Sequence, residues 1–157
     1  MGREAIPSWY FVLVVVRQDD KFLLVHERKH EQKWYLPAGR VEPRETFVQA
    51  AIRETLEETS VPVVIDGIYQ IQHTPMFDGS TRMRIVFTAH PQDDTPPKSI
   101  PDDESLEAAW MTLKEMRQVP LRGDEVLRIF SAISNGAPIY PLSLITNEAP
   151  LIVFKKE

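Results

Sequence analysis

The amino-acid sequence predicts one α+β domain in which mixed strands outnumber helices. Three observations carry that prediction. Residues 9–16 are apolar at every position and rich in β-branched and aromatic side chains, the pattern of a strand covered on both faces. Thr46 and Gln49 stand at capping-box spacing at the head of an apolar series with helical period. Residues 63–73 and 81–90 read as strands on either side of the turn Phe77-Asp78-Gly79-Ser80.

The remaining elements follow in order. Residues 18–21 are a turn, and 22–26 form the second strand of a hairpin with 9–16. Pro37-Ala38-Gly39 interrupts the mixed stretch that follows. From Thr46, the residues Val48, Ala51, Ile52, Thr55 and Thr59 recur on one helical face, and Pro62 closes the segment. Pro91, Pro96, Pro97 and Pro101 make residues 91–103 an extended loop. Residues 106–112 are a short strand or bend, and 113–118 a helical turn. Val126, Leu127, Phe130 and Ile133 give 124–133 a helical period. The tail ends on an apolar patch, residues 151–154, read as an added strand or a dimer contact. With no internal repeat and no long linker, residues 1–157 read as a single domain with a C-terminal tail from about residue 137.

Composition narrows the function classes. At 157 residues with 43% hydrophobic content, the chain can bury a core. Eighteen Lys and Arg against 23 Asp and Glu leave a net charge of −5 and a pI near 5.4, so an overall footprint for duplex nucleic acid is absent. Zero cysteines exclude disulfides, thiolate metal sites and a cysteine nucleophile. They fit a reducing compartment, and the expected location is the cytoplasm. The unbroken apolar run 9–16 is far short of the roughly 20 residues a membrane helix needs. No basic segment leads into an apolar one near residue 1, so a signal peptide is not expected. The four histidines share no ligand spacing, and no Walker loop is present.

The chemistry concentrates on the helix after Thr46. Glu54, Glu57 and Glu58 stand at i, i+3 and i+4, within about 100° of arc, on the face opposite Val48, Ala51 and Ile52. Three crowded carboxylates repel one another and call for a positive partner. Arg53 is one candidate. A divalent cation, Mg²⁺ or Mn²⁺, is the other, because carboxylate oxygens are the hard ligands these ions prefer. A solvated acidic helix face is the plain alternative.

The wider spacing favours the cation. Gly39, Glu45, Arg53, Glu54, Glu57 and Glu58 spell G-x5-E-x7-R-E-x-x-E-E. This string resembles the signature of the Nudix hydrolases, G-x5-E-x7-R-E-U-x-E-E-x-G-U with U a bulky apolar residue. It runs here from Gly39 to Val61, and an accidental match is on the order of 10⁻⁵ for this composition. Thr55 stands at the first U, and Ser60 replaces the glycine that ends the helix, where a left-handed residue is easiest for Gly.

The resemblance implies an α/β/α sandwich with a mixed sheet, and a loop–helix–loop that holds metal against a diphosphate. It implies Glu54, Glu57 and Glu58 as metal ligands, Gly39 as a carbonyl ligand, Arg53 as the group that orients the glutamates, and Glu45 at the cluster's edge. Arg40 would lie near a phosphate, or be a surface arginine. A further catalytic glutamate falls in residues 102–107, with Glu104 chosen and Glu107 in reserve. Asp124 stands where the family reads the base, though Asp also suits an N-cap. Arg82 and Arg84 share one face of a strand and line a phosphate or base pocket, or face solvent.

The implied reaction splits the P–O–P bridge of a nucleoside diphosphate linked to X, with no nucleic-acid duplex and no membrane as partner. Trp34-Tyr-Leu-Pro-Ala-Gly-Arg40, the Glu104–Trp110 stretch and Pro120-Leu-Arg122 are similar to the branch that acts on 8-oxo-guanine nucleotides. Pro75, 14 residues past the signature, is similar to a proline of family members that hydrolyse ADP-ribose, and an ADP-ribose or nucleotide-sugar pyrophosphatase is the alternative the resemblance implies. A non-catalytic nucleotide sensor is the alternative of another class, and trimming of RNA 5′ ends a third. Many family members dimerise, which leaves a homodimer open.

Overall fold

The computed structural model describes residues 2–148. Its strands are β1 (Ser8–Gln18), β2 (Lys21–Glu27), β3 (Trp34–Tyr35), β4 (Ala38–Arg40), β5 (Val63–Pro75), β6 (Thr81–Pro91) and β7 (Ser105–Thr112). The helices are α1 (Phe47–Thr59), α2 (Leu113–Met116) and α3 (Glu125–Ser134). The long β1 organises the sheet. It runs parallel to β6, with Val12 opposite Ile85, and antiparallel to β4, with Val12 opposite Gly39. Its last residues turn into β2, Arg17 facing Phe22. β2 carries β7 and β3, and β5 closes the far edge against β6.

The all-apolar β1 now has its reason. Val12, Val14 and Val16 pack toward Ala50 and Ala51 of α1. Leu13 and Val15 pack toward Ile129 and Phe130 of α3. Alternate side chains leave opposite faces of a strand, so a helix on each face removes every β1 side chain from 12 to 16 from water. Each such burial is worth about 1.5–3 kcal/mol relative to exposure. Phe22 stacks on Phe130 with centroids 4.7 Å apart, fixing α3 against β2. The layers are those of an α/β/α sandwich.

Helix α1 starts as its sequence predicts. The Thr46 hydroxyl accepts from the Gln49 amide at 3.1 Å, and the Gln49 side chain accepts from the Thr46 amide at 2.9 Å. It ends on Ser60 at φ 65°, the left-handed position. Its buried face differs from the expected one. Ala50, Ala51, Thr55 and Thr59 are buried, whereas Ile52 is 40% exposed. Thr55 and Thr59 return their hydroxyls to the carbonyls of Ala51 and Thr55, so they enter the core as methyl groups. The helix is therefore rolled so that Glu58 sits inside the packed face, and the three glutamates do not stand opposite the core.

Residues 106–112 lie in a full strand, β7. Trp34 is buried and Trp110 packs on the core, but Trp9, expected inside, lies on the surface under Arg40. After α3 the chain returns across the sheet, where Tyr140 pairs with Ile68 and Leu142 and Ile145 pack on the α1-side core. The apolar patch 151–154 lies outside the described residues. Among the described residues no helix is long and apolar enough to cross a membrane.

Candidate active site

The loop carrying Gly39 and the helix α1 meet at a contact only glycine permits. A Cβ on Gly39 would stand 2.0 Å from the Glu54 carboxyl carbon. Strand β4 thus lies directly on the Glu54 carboxylate. Arg53 gathers the other acids. Its Nε and Nη2 donate to the two oxygens of Glu45 at 2.7 and 2.9 Å, a bidentate pair. Its Nη1 donates to Glu54 at 2.9 Å and Glu57 at 3.1 Å, and Nη2 also reaches the Arg40 carbonyl at 3.0 Å. The Arg53 bonds hold the Glu45 carboxyl below its ordinary range and push the guanidinium up.

Glu54 and Glu58 face a small cavity of about 260 Å³ with Glu27, Asp103 and Glu104, rimmed by Arg28, Lys29 and His30. Burial pushes the Glu58 carboxyl well above the usual range, and the charges of Glu54, Glu27 and Glu104 push the same way. The Ala38 amide, 3.3 Å from Glu58 Oε1, opposes them. Burial also raises Glu54 against the pull of Arg53, and raises Glu27 against Arg122. Glu27 Oε2 is buried without a hydrogen-bond partner. Carboxylates desolvated together, one with an orphaned oxygen, suit a hard divalent cation. Among the described residues no three acids or histidines already converge at ligating distance, because Arg53 holds Glu54 and Glu57.

A second cavity of about 230 Å³ shares Glu27, His30 and Ala38 with the first. Arg82, Arg84 and Arg122 line it, with Phe11, Tyr35 and Gly39. Arg82 lies 4.5 Å over the Phe11 ring and Arg122 4.6 Å over Tyr35. Arg122 donates to Glu27 at 2.9 Å. Arg84 donates to Gln72 at 2.8 Å and stands 2.8 Å from Glu125, which also accepts from the Tyr35 hydroxyl. Burial and the Glu125 contact push the Tyr35 hydroxyl up to about 12. Burial alone would raise Glu125, but Tyr35 and Arg84 outweigh it and hold the carboxyl low.

The structure thus brings Gly39, Glu54, Glu58, Glu104, Arg82 and Arg84 to two adjoining cavities, with Arg53, Glu45 and Glu57 in one network beside them. Glu107 points elsewhere, 3.9 Å from His26. Of the two places expected for Arg40, the structure shows the surface one. Arg40 lies over Trp9 on an outer groove, and only its carbonyl joins the network, because its side chain leaves β4 away from both cavities. Asp124 departs from its expected roles. It is exposed, and although it stands at the N-cap of α3 its side chain makes no capping bond, because its own backbone is already helical at ψ −13°. The neighbouring Glu125 takes the inward position. Glu27, His30 and Glu125 escaped the sequence reading, while Tyr35 and Arg122 lie in two of the stretches similar to the 8-oxo-guanine branch. His30, Glu31 and Gln32 form a left-handed turn with φ of 54°, 60° and 53°. Such backbone costs about 1–2 kcal/mol per residue. That strain lies in the loop that walls both cavities.

The fold is an α/β/α sandwich with an acidic cavity beside an arginine-lined one. The chain belongs to the Nudix family: the NUDIX domain profile matches residues 9–132. It is 36% identical over 124 residues to the 8-oxo-dGDP phosphatase NUDT18 of Homo sapiens, covering 76% of this chain and 37% of that protein. The chain therefore spans little more than a third of that relative's length. It is 29% identical over 137 residues to the phosphatase NudJ of Escherichia coli O1:K1 / APEC, covering 85% of this chain and 88% of that one. A NUDIX hydrolase structure from Nitrosomonas europaea superposes with a TM-score of 0.74 at 32% identity, over 90% of this chain and 97% of that chain.

Proposed function

We propose that this chain is a divalent-metal-dependent pyrophosphohydrolase that splits nucleoside diphosphates linked to X, with oxidised guanine nucleoside di- and triphosphates as its preferred substrates. The observation that carries the reading is the abutment of an acidic cavity on an arginine-lined one, with Glu27 in the shared wall. Glu54, Glu58 and Glu104 would hold Mg²⁺ or Mn²⁺, with the Gly39 carbonyl as a further ligand. When bound, such an ion neutralises phosphate charge and acidifies water.

The protein's own groups do the rest. Arg53 fixes the carboxylates of Glu45, Glu54 and Glu57 in one orientation. A carboxylate oxygen of this cluster that the ion leaves free accepts a proton from the attacking water. The water oxygen bonds to phosphorus as the bridging P–O bond breaks, and the bridge oxygen departs with the leaving phosphate. Arg82, Arg84 and Arg122 with Glu125 receive the base. The NUDT18 likeness supports an oxidised-guanine base.

Turnover of 8-oxo-dGDP, 8-oxo-dGTP, dGTP, ADP-ribose and nucleotide sugars with Mg²⁺, beside Glu58→Gln, tests the reading. The expected result is the highest kcat/KM on an 8-oxo-guanine nucleotide, abolished in the variant. Preference for ADP-ribose would move the substrate. Binding without turnover of any of them would make the protein a sensor.

A further inference from the structure

Lys98 lies in the loop between β6 and β7, outside both cavities, and is only 8% exposed. An ammonium has three protons, and this one has three acceptors. Nζ donates to the Glu57 carbonyl at 2.6 Å and to Ser105 Oγ at 3.0 Å, and stands 2.6 Å from Asp102 Oδ2. The Ser105 hydroxyl in turn donates to the Glu58 carbonyl at 2.6 Å, and the Lys98 amide to the Thr59 carbonyl at 2.8 Å. The last turn of α1 thus has its unpaired carbonyls met from this loop and from the first residue of β7, with a cation at the negative end of the helix dipole.

The other side of the link reaches Glu104. While Asp102 Oδ2 faces Lys98, Asp102 Oδ1 accepts from the amides of Glu104 at 2.9 Å and Ser105 at 3.1 Å. One buried ammonium therefore joins the backbone that carries Glu57 and Glu58 to the side chain that folds the backbone around Glu104.

We propose that Lys98 is a positioning residue that sets Glu104 against the glutamates of α1, so that the two halves of the cation cluster close together. The inference rests on Glu104 belonging to that cluster. It leads to a coupling that a merely structural lysine would not produce.

The test is Mn²⁺ binding by calorimetry to the metal-free, folded protein for wild type, Lys98→Met, Glu104→Gln and the double variant. Lys98→Met should weaken Mn²⁺ about tenfold, as outer partners of metal ligands commonly do. On the Glu104→Gln background the same change should cost less than about twofold, because interacting sites are non-additive. In turnover, Lys98→Met should lower kcat with KM little moved.

Unchanged Mn²⁺ affinity in Lys98→Met, or a loss that multiplies in full on Glu104→Gln, overturns the proposal. Unchanged affinity in Glu104→Gln removes Glu104 from the cluster and Lys98's role with it. Absence of turnover in wild type would instead strike the functional reading alone. Should Lys98→Met not fold, Asp102→Asn decides by the same cycle, since it breaks the link to Lys98 and leaves the α1 carbonyls capped.

Discussion

Replacing Glu58 with Gln should stabilise the metal-free protein while ending its activity. Glu58 is a carboxylate sunk in the packed face of α1, pushed well above 4.5 by burial and by Glu54, Glu27 and Glu104. Above the ordinary carboxylate range the folded protein bears a cost at Glu58, of burying the charge or of holding the proton, that Gln does not have, and the amide oxygen still meets the Ala38 amide. Relief of this kind at a functional site is typically worth about 1–2 kcal/mol. For a domain of this size that is a rise in Tm of about 2–8 °C.

The sign of the pH dependence follows from the raised folded value. The folded state holds the Glu58 proton longer than the unfolded chain does. Wild type therefore loses stability as pH rises from about 4.5, the unfolded value, through the raised folded value, and keeps it below. The advantage of Glu58→Gln should open across that window and vanish at its acid end. Saturating Mg²⁺ should reverse the order, since a ligand of the folded state stabilises wild type alone. Thermal unfolding at pH 4.5 and 7.5, in chelator and in Mg²⁺, reads all of this. A variant less stable than wild type in chelator at pH 7.5 would refute the reasoning.

Two further expectations come from the backbone. Gly39→Ala places a methyl group where the Glu54 carboxyl stands, so Glu54 must leave its place; kcat should drop by about a hundredfold or more, the scale of a misplaced catalytic group, with the circular dichroism spectrum retained. Ser60→Gly relieves a left-handed residue at φ 65°; unfolding should gain about 0.5–1 kcal/mol with turnover unchanged, the left-handed penalty outweighing the added chain entropy.

The helix α1 was legible because its signals are local. The capping box, the left-handed Ser60 and the Arg53 network all lie within one short stretch. The roll of the helix was not, because apolar Ile52 and polar Thr55 and Thr59 point to different faces until the backbone carbonyls that satisfy the threonines are known. Glu104 was expected from a family pattern that places a glutamate in residues 102–107, and it lines the acidic cavity. Glu27 carries no such signal, and Tyr35 and Arg122 only that of the stretches around them, with no role attached. They meet Gly39 only because β2 and β3 pair beside β1, and the Trp34 amide ties to Pro120 far along the chain. A contact between residues 27 and 122 has no local trace in the sequence. Asp124 and Glu125 show the limit most sharply, since one residue of helical phase, 100° of rotation, decides which carboxylate turns inward.

That phase also bears on specificity. Three guanidiniums around one cavity suggest a trap for another phosphate. Two of them are already matched, Arg122 by Glu27 and Arg84 by Glu125, which leaves Arg82 with one formal charge. A dianion would have to compete with both carboxylates. A neutral base with N–H donors and carbonyl acceptors meets donors and acceptors side by side, which is what an oxidised guanine edge offers. Glu125→Gln should therefore raise KM for 8-oxo-dGDP, by about five- to tenfold for a weakened charged hydrogen bond, and leave kcat within about twofold. Because the change also frees Arg84, substrates bearing an extra phosphate in place of the base should gain. A lower KM for 8-oxo-dGDP in this variant would mean that the cavity reads charge and not the base.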